Sequence, residues 1–210
     1  SGSAVEGEDG RLYLFYTGTI VNEDKVTKSQ CLAVSDDGIH FVKYEGNPVV
    51  APTAFVESDP KVWRRGNRWY MIVGGEEDHK GRAILYASQD LKTWERFGTI
   101  LESDGTLGAM WECPDLFTVD GRDVLVIGPM HLGERKCTYL TGNMDYKKRA
   151  FTPFSIGEVD CGFDYYAPQS FEDPKGRRIQ FAWANAWDWM PWWKGFGTTA
   201  QAGWCGAMSI

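Results

Sequence analysis

The chain has 210 residues, of which 43% are hydrophobic and 24% charged, and its formal net charge is −7. This composition is typical of a folded globular protein, and the acidic balance disfavours a nucleic-acid partner, which would require a basic surface. No stretch approaches the roughly 20 apolar residues of a membrane-spanning helix, and the first ten residues lack the charged and apolar regions of a signal peptide. We therefore expect no nucleic-acid or membrane partner and, by default, a cytoplasmic location.

Short strand patterns follow one another along the chain. They are rich in β-branched and aromatic residues and are bounded by Gly, Asp or Asn. In chain order they are RLYLFYTG (11–18), RWYMIVGG (68–75), RAILYASQD (82–90), DVLVIG (123–128) and RRIQFAWA (177–184). Because no window of helical length keeps a 3.6-residue period, the sequence predicts an all-β fold.

One Gly-plus-strand pattern repeats with a step of about 55 residues. Its copies begin at Gly10, Gly66, Gly121 and Gly176. The turns SDDGIHF (35–41) and SQDLKTW (88–94) also match each other at nearly this step. Units of about 50 residues and three or four strands are typical of propeller blades, which pack against neighbouring blades to bury both faces. The repeat predicts four blades, and a β-sandwich with accidental spacing is the alternative that it disfavours.

Three acidic residues, Asp59, Glu112 and Asp164, lie shortly before the second, third and fourth copies of this Gly-plus-strand pattern. They repeat with nearly the same step as the pattern itself. Blades arranged around one axis would bring them to a single centre. Glu112 stands between Trp111 and Pro114, where apolar neighbours would favour the protonated form that a general acid requires. Asp59, one blade away, would be its counterpart, so that the two acids divide proton donation from charge stabilisation. The alternative is that each is an ordinary turn residue close to a proline.

Metal-binding patterns are missing from the sequence. The three histidines, His40, His79 and His131, lie in different repeats without ligand spacing, and the five cysteines lie far apart with no CxxC pair. The sequence therefore predicts no metal site, no other cofactor and no disulfide framework.

Eight segments, taken in order, resemble glycoside hydrolase family 32, the β-fructosidases. They are SGSAV (1–5), LYLFYTG (12–18), SDPKVW (58–63), WYMIVGG (69–75), WECPDLF (111–117), FDYYAPQSF (163–171), GRRIQFAW (176–183) and GWCGAMSI (203–210). The resemblance implies a five-bladed β-propeller that is usually followed by a β-sandwich domain. Residues 1–210 are then expected to form blades two to five of the propeller, without the sandwich. Such an open set of blades is expected to associate with a second copy.

The same resemblance implies roles for individual residues. Glu112 would be the general acid/base, and Asp59 the transition-state stabiliser, of a retaining hydrolase that acts on a small carbohydrate. Six further residues are candidates for substrate binding: Ser1, Ser58, Cys113, Asp164, Tyr166 and Trp183.

Two departures from the family pattern bear on the activity. The family nucleophile is an Asp in a Trp-Met-Asn-Asp-Pro-like segment ahead of SGSA; these 210 residues contain no such segment, so the chain alone is expected to be inactive. Ser58 stands where the family has Arg, so a guanidinium that would contact the substrate is missing. Hydrolysis of terminal β-D-fructofuranosidic bonds in sucrose, its 6-phosphate or a fructan is the expected activity. A glycosidase acting on arabinose or xylose chains and a non-catalytic sugar-binding propeller stay open as alternatives.

Overall fold

The computed structural model describes residues 2–23, 25–130, 137–162, 165–184 and 207–209. Within these ranges all regular secondary structure is β-strand, which confirms the predicted fold class. The same ranges contain no helix that is long and apolar enough to cross a membrane.

The described strands form four antiparallel sheets, each built from consecutive strands. The first sheet contains β1 (Gly2–Glu6), β2 (Leu12–Asn22), β3 (Lys25–Ser35) and β4 (Val42–Lys43). The second contains β5 (Val56–Arg65), β6 (Arg68–Glu77), β7 (Lys80–Ser88) and β8 (Glu95–Glu102). The third contains β9 (Met110–Val119), β10 (Arg122–Met130), β11 (Thr138–Asp145) and β12 (Ala150–Glu158). The fourth contains β13 (Tyr166–Glu172), β14 (Arg178–Ala184) and β15 (Ala207–Ser209). These sheets are the four repeating units that the 55-residue step predicts.

Equivalent turns end the third strands of the first two sheets. In each turn a serine hydroxyl donates to the aspartate two residues further on, Ser35 to Asp37 at 3.0 Å and Ser88 to Asp90 at 3.1 Å. Short polar side chains that bond within their own turn favour such chain reversals. The match between SDDGIHF and SQDLKTW therefore reflects the same local hydrogen bonding in two blades.

The hydrophobic core lies between neighbouring sheets, and β6 contributes to two parts of it. Met71 and Val73 belong to the cluster that contains Phe15 of the first sheet, whereas Ile72 belongs to the cluster that contains Trp111 of the third. Because successive side chains of a strand point to opposite faces, a strand buried on both faces has a continuous apolar sequence. This double burial explains the uninterrupted run WYMIV.

Two glycines allow the third sheet to approach the second closely. A Cβ atom on Gly74 would lie 2.1 Å from the carbonyl oxygen of Trp111, and one on Gly81 would lie 2.2 Å from the indole Cδ1. The indole is fully buried, and its Nε1 donates to the carbonyl of Leu107 at 2.6 Å. The ring of Trp111 is therefore packed in the core between two blades.

Gly81→Ala should destabilise the protein by about 1–3 kcal/mol, because the added methyl group overlaps an indole that cannot move away. The shift would appear in urea unfolding as a lower midpoint with an unchanged slope. Gly121→Asn is the control, since Gly121 lies in an exposed turn at φ 75° with no atom near its Cβ position, and asparagine tolerates that conformation. Equal stability of the Gly81→Ala and wild-type proteins would contradict the packing described here.

Candidate active site

The first strands of the last three blades share a bulge at the residue before a proline. Asp59, Cys113 and Ala167 have φ values of 61°, 46° and 50°, and each is followed by proline. The pairing of each strand with its neighbour shifts register at the same place. Non-glycine residues are disfavoured in this left-handed region and persist there only when the surrounding structure requires it. Bulges of this kind redirect side chains, which is common beside functional sites.

The bulges define which residues of different blades are equivalent. Counted from the prolines, Asp59 corresponds to Cys113, whereas Glu112 corresponds to Ser58 and Tyr166. The two acids are therefore offset by one residue rather than placed at one shared position. The contact across the boundary between the two blades joins Asp59 to Cys113, the residue that follows Glu112.

Neighbouring blades on both sides hold Asp59. The backbone N–H of Cys113 donates to Asp59 Oδ2 at 3.0 Å, and the Cys113 Sγ lies 3.6 Å from the same oxygen. On the other side, the backbone N–H of Asp59 donates to Thr17 Oγ1 at 2.9 Å. The Thr17 hydroxyl donates to Gln30 Oε1 at 3.0 Å, and Gln30 Nε2 donates to the carbonyl of Glu57 at 2.9 Å. The first blade thus holds the backbone of Asp59, and the third blade holds its carboxyl group.

Glu112 is oriented by the fourth blade. The hydroxyl of Tyr166 donates to Glu112 Oε2 at 2.7 Å, and Met130 Sδ lies 3.0 Å from that hydroxyl. Tyr166 is buried in a small cluster with Cys137, against which Trp183 packs. Glu112 itself is partly exposed. One of its oxygens is therefore held by a buried phenol while the side chain remains accessible.

Cys113 joins the two acids into one unit. It directly follows Glu112 in β9, and its N–H binds the carboxylate of Asp59. Two carboxyl groups positioned by different partners can divide their roles, one transferring protons and the other stabilising positive charge. Such a division of roles between two acids is expected of a glycosidase.

A buried polar layer lies just beyond the bulges, and sequence reasoning missed it. Asp115 Oδ2 accepts hydrogen bonds from the N–H and the hydroxyl of Ser170, both at 2.7 Å, and lies 3.6 Å from Lys61 Nζ. Lys61 also donates to the carbonyl of Ser170. Burial lowers the pKa of the Lys61 ammonium, and the Asp115 carboxylate opposes that shift. The only signal for this layer in the sequence is that Lys61 and Asp115 each follow an inner-strand proline.

Of the remaining candidates for substrate binding, the structure describes two and does not describe the other two. Ser58 is buried beside Asp59, and its hydroxyl has no hydrogen-bond partner among the residues that the structure describes. Ser1 and Asp164 lie outside the described residues. Trp183 is paired across β13 and β14 with Tyr166, whose hydroxyl donates to Glu112.

Comparison with known proteins gives the family. Residues 1–210 match the family model described as Glycosyl hydrolases family 32 N-terminal domain. The chain belongs to glycoside hydrolase family 32. It is 44% identical over 199 residues to the sucrose-6-phosphate hydrolase of Bacillus subtilis (strain 168), covering 87% of this chain and 41% of that protein. It is 35% identical over 203 residues to the raffinose invertase of Escherichia coli, covering 90% of this chain and 42% of that protein.

Solved structures of family 32 proteins share this fold. The β-fructofuranosidase BmSUC1 of Bombyx mori superposes with a TM-score of 0.87 at 33% identity, covering 100% of this chain and 47% of its own. The sucrose-6-phosphate hydrolase of Lactobacillus gasseri gives a TM-score of 0.81 at 29% identity, covering 90% and 42%. This family 32 chain thus spans less than half the length of these relatives. The family domain is a five-bladed β-propeller, which confirms the predicted architecture.

Thr17→Val should loosen Asp59 without changing the shape of the strand. The substitution removes the acceptor of the Asp59 N–H, so we expect a loss of about 1–3 kcal/mol for an unsatisfied donor. Hydrogen–deuterium exchange of the segment that contains Asp59 should become faster. Thr19→Val, at an exposed position of the same strand, is the matched control and should leave this exchange unchanged. Slow exchange in both variants would show that Thr17 does not hold the bulge.

Cys137 should resist alkylation although it lies beside the site. Burial raises the pKa of its thiol to about 12, and the charge of Glu112 acts in the same direction. Since the thiolate is the nucleophile, iodoacetamide at pH 8 should modify the exposed Cys161 and leave Cys137 unmodified, as read by peptide mass spectrometry. Denaturation should remove the difference; equal modification of both cysteines in the folded protein would contradict this environment.

Proposed function

We propose that this chain forms most of the catalytic propeller of a retaining hydrolase of terminal β-D-fructofuranosidic bonds. The observation that carries the proposal is the hydrogen-bonded unit in which Cys113 links Glu112 to Asp59 and Tyr166 holds Glu112. Membership of family 32 and the names of the relatives, sucrose-6-phosphate hydrolase and β-fructofuranosidase, support a small fructoside as substrate.

Glu112 is the proposed general acid/base. Its carboxylic acid donates a proton to the glycosidic oxygen as the bond from that oxygen to the anomeric carbon breaks, so that the leaving sugar departs as an alcohol. The resulting carboxylate later removes a proton from the water that releases fructose. The Tyr166 hydroxyl, by bonding Oε2, leaves Oε1 as the oxygen that handles the proton.

Asp59 is the proposed stabiliser of the transition state. Positive charge develops on the fructosyl ring as the bond breaks, and a fixed carboxylate beside the ring counters that charge. The bonds from Cys113 and to Thr17 hold Asp59 in place before substrate arrives. The covalent nucleophile would be a third carboxylate on a blade that these residues do not include, as the family resemblance implies.

Ser58 supports a second candidate substrate. Its small, buried side chain stands where the family has Arg, so the site has less positive charge for binding fructose hydroxyls. A glycosidase for arabinofuranosides or xylosides is the activity that such a change would suit.

Replacing Glu112 by glutamine in the longest product of this gene should lower fructose release from sucrose 6-phosphate and from sucrose by about 10²–10⁴-fold. The loss of kcat/KM for phenol release should be much smaller with an aryl β-D-fructofuranoside, because kcat/KM reports the first step, in which a phenolate leaves without protonation. Glu158→Gln, at an exposed position of β12, is the control and should keep full activity.

The same assay separates the candidates. Release of arabinose or xylose from aryl glycosides, without release of fructose, would replace the fructosidase proposal by the second candidate. Turnover of no glycoside by the wild-type protein would point to a binding propeller. An equal loss of kcat/KM with sucrose and with the aryl fructoside would contradict the role of Glu112 as proton donor.

A further inference from the structure

Gln30 is a buried polar residue at the boundary between the first two blades. It lies in β3 directly opposite Thr17 of β2, so both side chains share one face of the first sheet. Only 1% of its surface is exposed. Its backbone N–H donates to the carbonyl of Val50 at 3.0 Å, and its own carbonyl accepts from the Val50 N–H at 3.2 Å. The backbone of Gln30 is therefore held within the first blade, which limits where its side chain can reach.

The side-chain amide of Gln30 has one orientation that satisfies its neighbours. Nε2 donates to the carbonyl of Glu57 at 2.9 Å, and Oε1 accepts from the Thr17 hydroxyl at 3.0 Å. The carbonyl of Glu57 can only accept, so the NH2 group must face β5 and the amide oxygen must face Thr17. The reverse orientation would place two oxygen atoms against each other.

This orientation determines the role of the Thr17 hydroxyl. A hydroxyl has one proton, and here that proton is donated to Gln30 Oε1. The lone pairs of Thr17 Oγ1 are therefore available to the backbone N–H of Asp59, which donates to this oxygen at 2.9 Å. An apolar side chain in place of Gln30 would leave the hydroxyl free to turn its proton toward the Asp59 N–H, and the bond would be lost.

The three hydrogen bonds of Gln30 and Thr17 form a clamp on β5. The clamp starts at the carbonyl of Glu57 and returns to the same strand at the N–H of Asp59, with Ser58 as the one residue between its two ends. Asp59 has a φ of 61°, a conformation that a non-glycine residue keeps only when its surroundings impose it. The clamp is the part of those surroundings that the first blade supplies.

We propose that Gln30 is a positioning residue for the reaction. By orienting Thr17, it holds the left-handed backbone of Asp59, and with it the carboxylate that faces the charge developing on the fructosyl ring. Because its side chain is buried, Gln30 acts through Thr17 rather than on the substrate. This inference rests on the proposed function, in which Asp59 stabilises the transition state.

The first test is Gln30→Met in the longest product of this gene, because methionine has a similar length and no amide. We expect kcat for fructose release from sucrose, per folded enzyme, to fall by about 10–100-fold, the size expected for a displaced catalytic group. KM should stay within about threefold, since both steps of a double displacement pass through a positively charged fructosyl ring and slow together. Near-UV circular dichroism gives the folded fraction.

Leu32→Ala is the control for lost stability. Leu32 is fully buried in the same strand and belongs to the apolar cluster between the first two blades, but its side chain takes no part in the clamp. The variant should unfold more easily and keep the wild-type kcat per folded enzyme. Gln89→Met is the control for the substitution itself, since Gln89 is exposed, and it should behave as the wild type.

Gln30→Glu provides a second test through its pH profile. When the introduced glutamic acid is protonated, its hydroxyl donates to the carbonyl of Glu57 and its other oxygen accepts from Thr17, so the clamp is complete. When it is ionised, a negatively charged oxygen faces the same carbonyl and the clamp opens. We therefore expect kcat relative to the wild type at the same pH to be highest in acid and to fall as pH rises through the pKa of this group.

The surroundings place that pKa above the usual range for glutamate. Burial disfavours the charged form, and the acids Glu57 and Asp59 on β5 act in the same direction. The charge of Glu57 is itself countered, because Tyr86 on β7 donates to it at 2.5 Å and Arg96 on β8 lies 3.8 Å from it. A series from about pH 5 to about pH 8 covers the expected change. The same ratio for Gln30→Met should not vary with pH.

Several outcomes would overturn the proposal. They are wild-type kcat in Gln30→Met, an equal loss per folded enzyme in Leu32→Ala, and a Gln30→Glu ratio that does not change with pH. If Gln30→Met does not fold, the profile of Gln30→Glu decides alone.

Failure of the proposed function would look different, because the wild-type enzyme would then release no fructose from any fructoside. The role of Gln30 in holding Asp59 would in that case be judged by hydrogen–deuterium exchange of the segment that contains Asp59. Exchange should be faster in Gln30→Met than in the wild type and unchanged in Gln89→Met. Equal exchange in all three proteins would reject the positioning role as well.

Discussion

The hydrogen bond from the Cys113 N–H to the carboxylate of Asp59 is the contact on which the site depends. It forms between the first strands of two blades, and it is available because both residues sit at bulges with positive φ. In a regular strand the Cys113 N–H would point along the ladder toward β10 instead. The bulge thus exchanges a ladder bond for a contact between blades, and the cost of the left-handed conformation is offset by the packing around it.

The blades carry two kinds of contact that keep this bond in register. Apolar side chains of β6 pack on both neighbouring sheets, and the missing side chains of Gly74 and Gly81 let Trp111 approach. On the first strands of three blades, Lys61, Asp115 and Ser170 form a polar layer whose bonds require those blades to be correctly placed. Hydrophobic packing supplies the free energy of association between blades, whereas the polar layer allows a single relative position.

Sequence reasoning succeeded where a signal is local and repeated. The strand patterns, the paired turns at Ser35 and Ser88 and the 55-residue step all come from chemistry within one blade, and the structure confirms them. It also selected Asp59 and Glu112 as candidate acids, and Asp59 bonds to Cys113, the residue that follows Glu112. It treated them as equivalent, however, because a one-residue offset caused by a bulge changes the spacing very little while it reverses the face on which a side chain lies.

Pattern and composition were enough to specify an all-β propeller with acidic residues on its inner strands, because periodicity, turn chemistry and burial on two faces leave a direct record in the order of residues. The partners of those acids were decided only by the folded structure. Thr17, Tyr166 and Lys61 lie roughly 40 to 110 residues from the groups that they contact, and nothing in their own neighbourhoods marks them as polar partners. Contacts of that range are set by how blades pack around an axis, which depends on the shapes of all the side chains between them.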